Sequence, residues 1–197
     1  MTDVPEHNAA TTERRRQILD AAVRVVARRG FNASRVSDIA DEAGVAYGLL
    51  YHYFRSKDEL LDTVFTERWA LMLEAISAAD KRDAPARDKL DDIAGFIVRS
   101  YHRDPELMKV IIVEVTRAAN SFGQTHLPVI RTAFDGIAGI VAAGQQSGEF
   151  RDDVDPQFAA MSFYGVVEQA LTAWIFGQLG SSEREIATVR EQIVRMV

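Results

Sequence analysis

The chain has 197 residues, 47% of them hydrophobic and 26% charged, and carries a net charge of −6 at neutral pH. This composition is typical of a globular protein with room for one small and one medium domain, and it excludes a protein that is basic throughout. The lack of cysteine excludes disulfides and thiolate metal sites and is consistent with a cytoplasmic location. No apolar run approaches the ~18 residues of a membrane span, and the N-terminus has no apolar segment typical of a secretory signal.

Apolar residues recur at helical spacing along the chain, and no alternating β pattern interrupts them. We therefore predict an all-α protein of about nine helices. Residues 1–10 are polar and contain Pro5, so we expect a flexible tail there. The first helix is expected to be capped by Thr11 or Thr12 and to end at Gly30.

The segment that begins at Ser34 has the pattern of two short helices joined by a tight turn. Ser34 is expected to be the N-cap of the second helix, and Gly44 suits the left-handed backbone at its end. A third helix is predicted over Tyr47–Phe54. Ser56 and Glu59 then form a capping box that begins the fourth helix. This geometry is that of a helix-turn-helix, whose second helix enters the major groove of DNA.

The later boundaries are marked by proline, glycine and capping residues. The fourth helix is expected to begin at Lys57, the sixth and eighth helices at Asp-Pro pairs, and the ninth at a second capping box. The predicted boundaries are Lys81 to Ala86 with Pro85 as a linker, Asp104-Pro105 for the sixth helix, a break from Asn120 to Thr125, Leu127 or Pro128 for the seventh, Asp155-Pro156 and Gly180 for the ends of the eighth, and Ser182-x-x-Glu185 for the ninth.

One segment carries a dense set of residues at fixed offsets, which reads Val36-x-Asp38-Ile39-Ala40-x-x-Ala43-Gly44-Val45-x-x-Gly48-x-Leu50-Tyr51-x-Tyr53-Phe54-x-Ser56-Lys57-x-x-Leu60. It closely resembles the DNA-binding signature of the TetR family of bacterial transcriptional regulators. The resemblance implies a helix-turn-helix domain over residues 1–56 and a helical domain for effector binding and dimerisation over residues 57–197. It also implies a double-stranded DNA operator as the partner.

The predicted DNA contacts lie on the third helix and beside it. Gly48 lacks a side chain and lets the backbone approach the groove, and Lys57 at a helix N-terminus is expected to bind a phosphate. Position 46 is often a small hydroxyl residue in the family but is Ala46 here, which removes a helix cap worth about 1 kcal/mol. The expected DNA-binding residues are Arg35, Ser37, Ala46, Tyr47, Gly48, Leu49, Tyr51, His52 and Lys57.

The helices after residue 57 are rich in apolar residues, so they form either a solid core or a bundle with an apolar ligand site. Looser matches resemble the FadR-like regulators of fatty-acid degradation, which implies long-chain acyl-CoA as the effector. These matches are Val45-Ala46-x-Gly48 with Tyr51-x-Tyr53-Phe54, Glu114-Val115-Thr116-Arg117 with Asn120, Gln146-Ser147-Gly148-Glu149, and Glu168 to Trp174. The expected ligand-binding residues are Phe96, Met108, Ile112, Glu114, Arg117, Phe163, Val167 and Trp174, with an internal Glu114–Arg117 ion pair as the alternative for those two.

The predicted function is that of a ligand-released repressor that reads a palindromic operator as a dimer. We expect a homodimer through helices eight and nine, because their apolar residues lie on more than one face. The alternatives are a repressor of an efflux or other metabolic gene with an unrelated hydrophobic ligand, or a helical partner-binding protein without DNA binding. An enzyme is disfavoured, because His7, His52, His102 and His126 lack metal spacing and no phosphate loop or nucleophile elbow is present. No metal or cofactor is predicted.

Overall fold

The computed structural model describes residues 4–115, 122–180 and 182–195, without the side chains of residues 4–10, 114–115, 122–125 and 194. Over these residues the protein is all-α with nine α-helices and no strand, which confirms the predicted fold class. A π-helical segment, Val110–Val115, continues α6. The helices are α1 (Val4–Arg29), α2 (Val36–Ala43), α3 (Tyr47–Tyr53), α4 (Lys57–Lys81), α5 (Ala86–Arg103), α6 (Pro105–Lys109), α7 (Phe122–Gln146), α8 (Pro156–Ile175) and α9 (Glu183–Arg195).

The first three helices share one apolar core, which we call the head core. Leu50 and Phe54 are buried in it, because their spacing places both on the inner face of the α3 segment. Gly44 ends α2 with φ +63°, in the left-handed region that the turn requires. The head core also takes in Leu60, Leu61 and Val64 from α4. Leu107 and Val110 join it from α6 and its π-helical continuation, which together (residues 105–115) we call the α6 segment. We keep the two-domain division as a proposal, with the start of α4 packed into the head.

Three expectations for the N-terminal region are wrong. The helix α1 begins at Val4, so residues 4–10 are not a tail and Thr11 and Thr12 lie within the helix. Pro5 stands in the first turn, where its missing N–H costs no hydrogen bond. The N-cap of α2 is Arg35, whose backbone N–H donates to Asp38 Oδ2 at 3.0 Å. Ser34 is instead buried, and its hydroxyl donates to the Gly30 carbonyl that ends α1, at 2.7 Å.

The remaining helices surround a second core, which we call the body core. It draws on α4, α5, α7, α8 and α9, and it contains both tryptophans. The Asp-Pro boundaries form as predicted: Asp104 accepts from the Leu107 N–H and Asp155 from the Phe158 N–H, each at 2.9 Å. Each aspartate therefore caps a helix whose first residue is proline.

Two predicted boundaries in the body differ from the structure. The helix α7 begins at Phe122 and includes Pro128, so it starts before the predicted Leu127 or Pro128. The helix α8 ends at Ile175, five residues before Gly180. The chain turns at Gly177, with φ +65° and a hydrogen bond of 3.0 Å from its N–H to the Trp174 carbonyl. An earlier glycine thus provides the left-handed turn that we assigned to Gly180.

Helix α7 is long and largely apolar. Its stretch His126–Gln146 has a mean hydropathy of 1.3, enough by length and composition alone for a membrane span. The helix nevertheless packs against α4, α5 and α8, with Ile137 and Val141 buried in the body core. Because it is also exposed at Arg131 and Asp135, we assign it as a core helix with one open face.

Candidate functional site

The outer face of α3 forms an exposed ridge of aromatic and aliphatic side chains. Tyr47 is 52% exposed, Tyr51 42% and Leu49 38%, whereas Leu50 on the opposite side is fully buried. The hydroxyls of Tyr47 and Tyr51 lie 3.2 Å apart, and this shared hydrogen bond raises the pKa of Tyr51. His52 is also exposed. The ridge therefore presents hydroxyl and imidazole groups beside apolar edges, the chemistry that reads base edges and thymine methyls.

Gly48 gives this ridge a flat centre. A Cβ atom added at Gly48 would have no atom within 4 Å, so nothing in the chain requires a glycine there for space. Ala46 precedes the helix as its N-cap and offers no side-chain hydrogen bond, as expected from its sequence. The first amides of α3 therefore have no side-chain cap from Ala46, and a phosphate oxygen can accept hydrogen bonds from them.

The flanking predicted contacts divide into free and occupied groups. Arg35 and Ser37 are exposed at the start of α2. Lys57, in contrast, is half-buried: its ammonium donates to the carbonyls of Phe31 and Ser34, the latter at 2.9 Å, and lies 4.1 Å from the Phe31 ring centre. In this structure Lys57 therefore fastens the loop between α1 and α2, and the expected phosphate contact would require it to exchange partners.

Ion pairs fix α2, and with it α3, on the surface of α1. Glu42 accepts from Arg24 at 2.7 Å and also from Arg28, and these hydrogen bonds hold the pKa of Glu42 below its ordinary value. Arg29 pairs with Asp38 at 2.8 Å. Three of the head's basic residues are therefore paired with carboxylates inside the head and are not free to meet DNA.

A cavity of about 370 Å³ opens between α1, α4, α5, the α6 segment and α8. Its volume falls in the range of ligand pockets, roughly 300–1,000 Å³. Four predicted ligand residues line it, each from the apolar face of its helix: Phe96, Met108, Ile112 and Val167.

The other predicted ligand residues lie elsewhere. Phe163 and Trp174 are buried in the body core instead of lining this cavity, because their side of α8 packs against neighbouring helices. Trp174 stacks on Tyr101 with 5.6 Å between ring centres, and its indole N–H has no hydrogen-bond partner within the described chain. Arg117 and the side chain of Glu114 lie outside the described residues.

Seven polar residues of the cavity wall were missing from the predicted site. Their sequence signal was weak, because they are distributed over α1, α4, α5, the start of α6 and α8, and only the fold brings them together. Arg68 and Arg103 are exposed and make no hydrogen bond or ion pair with the described residues, whereas Arg16 pairs with Glu13 at 2.8 Å. The seven residues are Arg16, Arg68, Ser100, Arg103, Asp104, Tyr164 and Glu168.

The α6 segment connects the cavity to the head. Leu107 belongs to the head core and also lines the cavity, and Val110 is fully buried in the head core. Between them Lys109 donates to the Ala27 carbonyl in the last turn of α1, at 2.8 Å. The cavity wall is thereby in direct contact with α1, the helix that carries α2 and α3.

An exposed α3 ridge on a helix-turn-helix head, joined to a body with an apolar cavity, defines a DNA-binding regulator. Residues 18–64 match the model of bacterial regulatory proteins of the tetR family, and residues 87–197 match the tetracyclin repressor-like C-terminal domain. The chain therefore belongs to the TetR family and is a transcriptional regulator, not an enzyme.

Similar proteins include regulators of fatty-acid metabolism. The fatty acid metabolism regulator protein of Bacillus subtilis strain 168 is 31% identical over 159 residues, which cover 81% of this chain and 82% of that protein. The crystal structure of the regulator FadR from Bacillus subtilis in complex with stearoyl-CoA matches with a TM-score of 0.80 and 27% identity, over 91% of this chain and 95% of that one. FadR from Bacillus halodurans shares the fold with a TM-score of 0.83 at 21% identity, over 100% and 96% of the two chains.

Proposed function

We propose that this regulator is a dimeric repressor that leaves a palindromic operator when a long-chain acyl-CoA occupies the cavity. The observation that carries the proposal is the composition of the cavity wall. Apolar side chains from four helices form its interior, and Arg68 and Arg103 add positive charge at its wall, which also holds the carboxyl groups of Asp104 and Glu168. An acyl chain suits the apolar interior, and the phosphates of coenzyme A suit the arginines. The similarity to the stearoyl-CoA complex of Bacillus subtilis FadR supports the same ligand class.

The DNA contacts follow from the exposed ridge. Tyr47, Leu49 and His52 would meet base edges in the major groove, while Gly48 allows the helix backbone to approach. Tyr51, Arg35, Ser37 and the open amides beside Ala46 would hold the phosphates. Because one helix reads only a few base pairs, two heads on a two-fold axis would read half-sites about one helical turn apart, or a multiple of it.

The surface we propose for dimerisation is the exposed face shared by α7 and α8, called here the α7–α8 face. Phe158 and Met161 are 64% and 59% exposed on it, and Asp135 and Gln157 join the two helices there by a hydrogen bond of 2.8 Å. Gly139 and Gly165 leave open space that lets a second helix pair approach. A four-helix contact through this face would cover large apolar side chains that a monomer leaves in water.

This assignment revises the expected interface, in which α9 was the second helix. Ile186 and Ile193 of α9 are buried in the body core, and α9 packs against α5. Asp91 of α5 pairs with Arg190 of α9, with one hydrogen bond of 2.7 Å from Arg190 Nε. The apolar stripe of α9 is therefore already covered within the chain, and its outer residues are polar.

Release would pass through the α6 segment and α4. A ligand that pushes Leu107 and Met108 outward would move Lys109 and with it the end of α1. Asp62 of α4 is held to His126 of α7 by a contact of 2.7 Å between Oδ1 and Nε2, which ties α4 to one of the two helices that form the α7–α8 face. A ligand-induced shift of either link would change the spacing of the two heads in a dimer.

The test begins with operator fragments selected from random DNA by the purified protein. Palmitoyl-CoA is then titrated into the protein–operator complex, and release is followed by fluorescence anisotropy. We expect release by palmitoyl-CoA and none by coenzyme A alone. The variant Met108→Trp, which fills the cavity, should bind the operator and resist release, while Leu179→Trp at an exposed position should respond normally. Unchanged operator affinity across acyl chains of all lengths would contradict the proposal and favour an unrelated hydrophobic effector.

A further inference from the structure

Two polar side chains of α8 face the cavity and have no hydrogen-bond or ion-pair partner among the described residues. Tyr164 and Glu168 are one helical turn apart and both line the cavity, beside Val167 and Leu171. The Tyr164 ring packs between Trp69 and Phe134, with 6.1 Å and 5.4 Å between ring centres. In the described chain, neither the Tyr164 hydroxyl nor the Glu168 carboxyl makes a hydrogen bond or an ion pair.

The surroundings of this pair disfavour negative charge. Burial raises the pKa of the Glu168 carboxyl, and burial together with the nearby Glu168 raises the pKa of the Tyr164 hydroxyl. None of the described cavity arginines lies within ion-pair distance of Glu168, and burial is the cause of its raised pKa. A half-buried carboxyl without a partner costs free energy, and a bound ligand that supplies a hydrogen bond would recover part of that cost.

We propose that Tyr164 and Glu168 determine which head group may follow the acyl chain into the cavity. The inference rests on the proposed function, since it assumes an acyl ligand. The Tyr164 hydroxyl can donate to the carbonyl oxygen of a thioester, ester or amide. A free fatty acid would instead bring its carboxylate next to Glu168, and the like charges would raise the cost of binding. The pair therefore admits the neutral, conjugated acyl group and rejects the free acid.

The test compares three ligands that share one acyl chain: dodecanoyl-CoA, dodecanamide and dodecanoate. Binding to the full-length protein without DNA is measured by titration calorimetry. We expect dodecanoate to bind about tenfold or more weaker than dodecanamide, because only the former adds a charge beside Glu168. In Glu168→Gln this ratio should fall toward one, since the charge is removed with little change of shape. In Tyr164→Phe the amide and the thioester should both lose about two- to tenfold in affinity.

The matched control is Glu74→Gln, the same substitution at an exposed position of α4 outside the cavity. It should keep the wild-type ratio, and thermal melts should show that all variants are folded. A Glu168→Gln variant that keeps the wild-type ratio, or a wild type that binds acid and amide equally, overturns the inference. Operator release, measured separately, distinguishes the two proposals. Selective binding without release refutes only the proposal of an acyl-CoA-released repressor, and release by thioester and acid alike refutes only the proposed selectivity. If none of the three ligands binds, both proposals are refuted.

Discussion

Removing the large apolar side chains of the α7–α8 face should weaken the proposed dimer. Fully burying a phenylalanine or methionine side chain contributes about 1.5–3 kcal/mol. Phe158 is 64% and Met161 59% exposed, so covering either one adds about 1–2 kcal/mol in each protomer. In a two-fold interface each residue counts twice. Phe158→Ala should therefore weaken the dimer by about 2–4 kcal/mol, or roughly 30- to 1,000-fold in Kd.

Sedimentation equilibrium over a wide concentration range measures this constant, and a pair of charge substitutions decides between the two candidate surfaces. Ser162→Glu places a carboxylate on the α7–α8 face, and Thr188→Glu places the same group on the outer side of α9. The first should yield monomers and the second should remain dimeric. Monomers from Thr188→Glu, or an unchanged dimer in both Phe158→Ala and Ser162→Glu, would refute the assignment and restore the interface through α9.

Three further predictions concern the head and its link to the cavity. Gly48→Ala should raise the free energy of unfolding by about 0.5–1 kcal/mol, because Ala favours the helix and its Cβ has open space. Operator affinity should fall at the same time. If stability and operator affinity change in the same direction, the role of Gly48 at the groove is contradicted. Lys57→Met should lower the melting temperature and leave the salt dependence of operator binding unchanged. If the slope of log affinity against log salt concentration instead decreases by about 0.9, Lys57 contacts a phosphate, as the sequence predicted. Lys109→Met should cost about 0.3–1 kcal/mol of stability and also reduce release by acyl-CoA. Lys89→Met removes a comparable 2.7 Å bond to the Asp80 carbonyl in α4 and should reduce stability alone.

Local patterns predicted most of the fold. The Asp-Pro pairs and Gly44 each act within one helical turn, so residue type alone indicates their role. Ser34 misled the prediction, because a serine hydroxyl can accept from the amides of the following helix or donate to a carbonyl at the end of the preceding one. The position of the Gly30 carbonyl decides for the second role. The end of α8 was misplaced for a similar reason, since Gly177 and Gly180 are equivalent in sequence and differ in backbone conformation.

The functional surfaces were predictable where a family motif covers them and less so elsewhere. The ridge around Tyr47 follows from helical spacing, and the structure exposes it as expected. The role of Lys57 depends on the distance between the start of α4 and the loop after α1, which no local pattern contains. The cavity residues Arg68 and Glu168 are far apart in sequence, and only helix packing places them in the wall of the same cavity. The open face of α8 likewise emerges only when α9 is seen to pack on α5.

Reciprocal linkage between ligand and operator tests the central claim most directly. The Kd of palmitoyl-CoA is measured by calorimetry for the free protein and for the protein saturated with its operator. If the cavity and α3 are coupled, operator binding must lower the affinity for the ligand by the same factor by which ligand binding lowers the affinity for the operator. We predict a factor of at least about five, the lower end of common coupling energies. Equal ligand affinities in the two states would contradict the account.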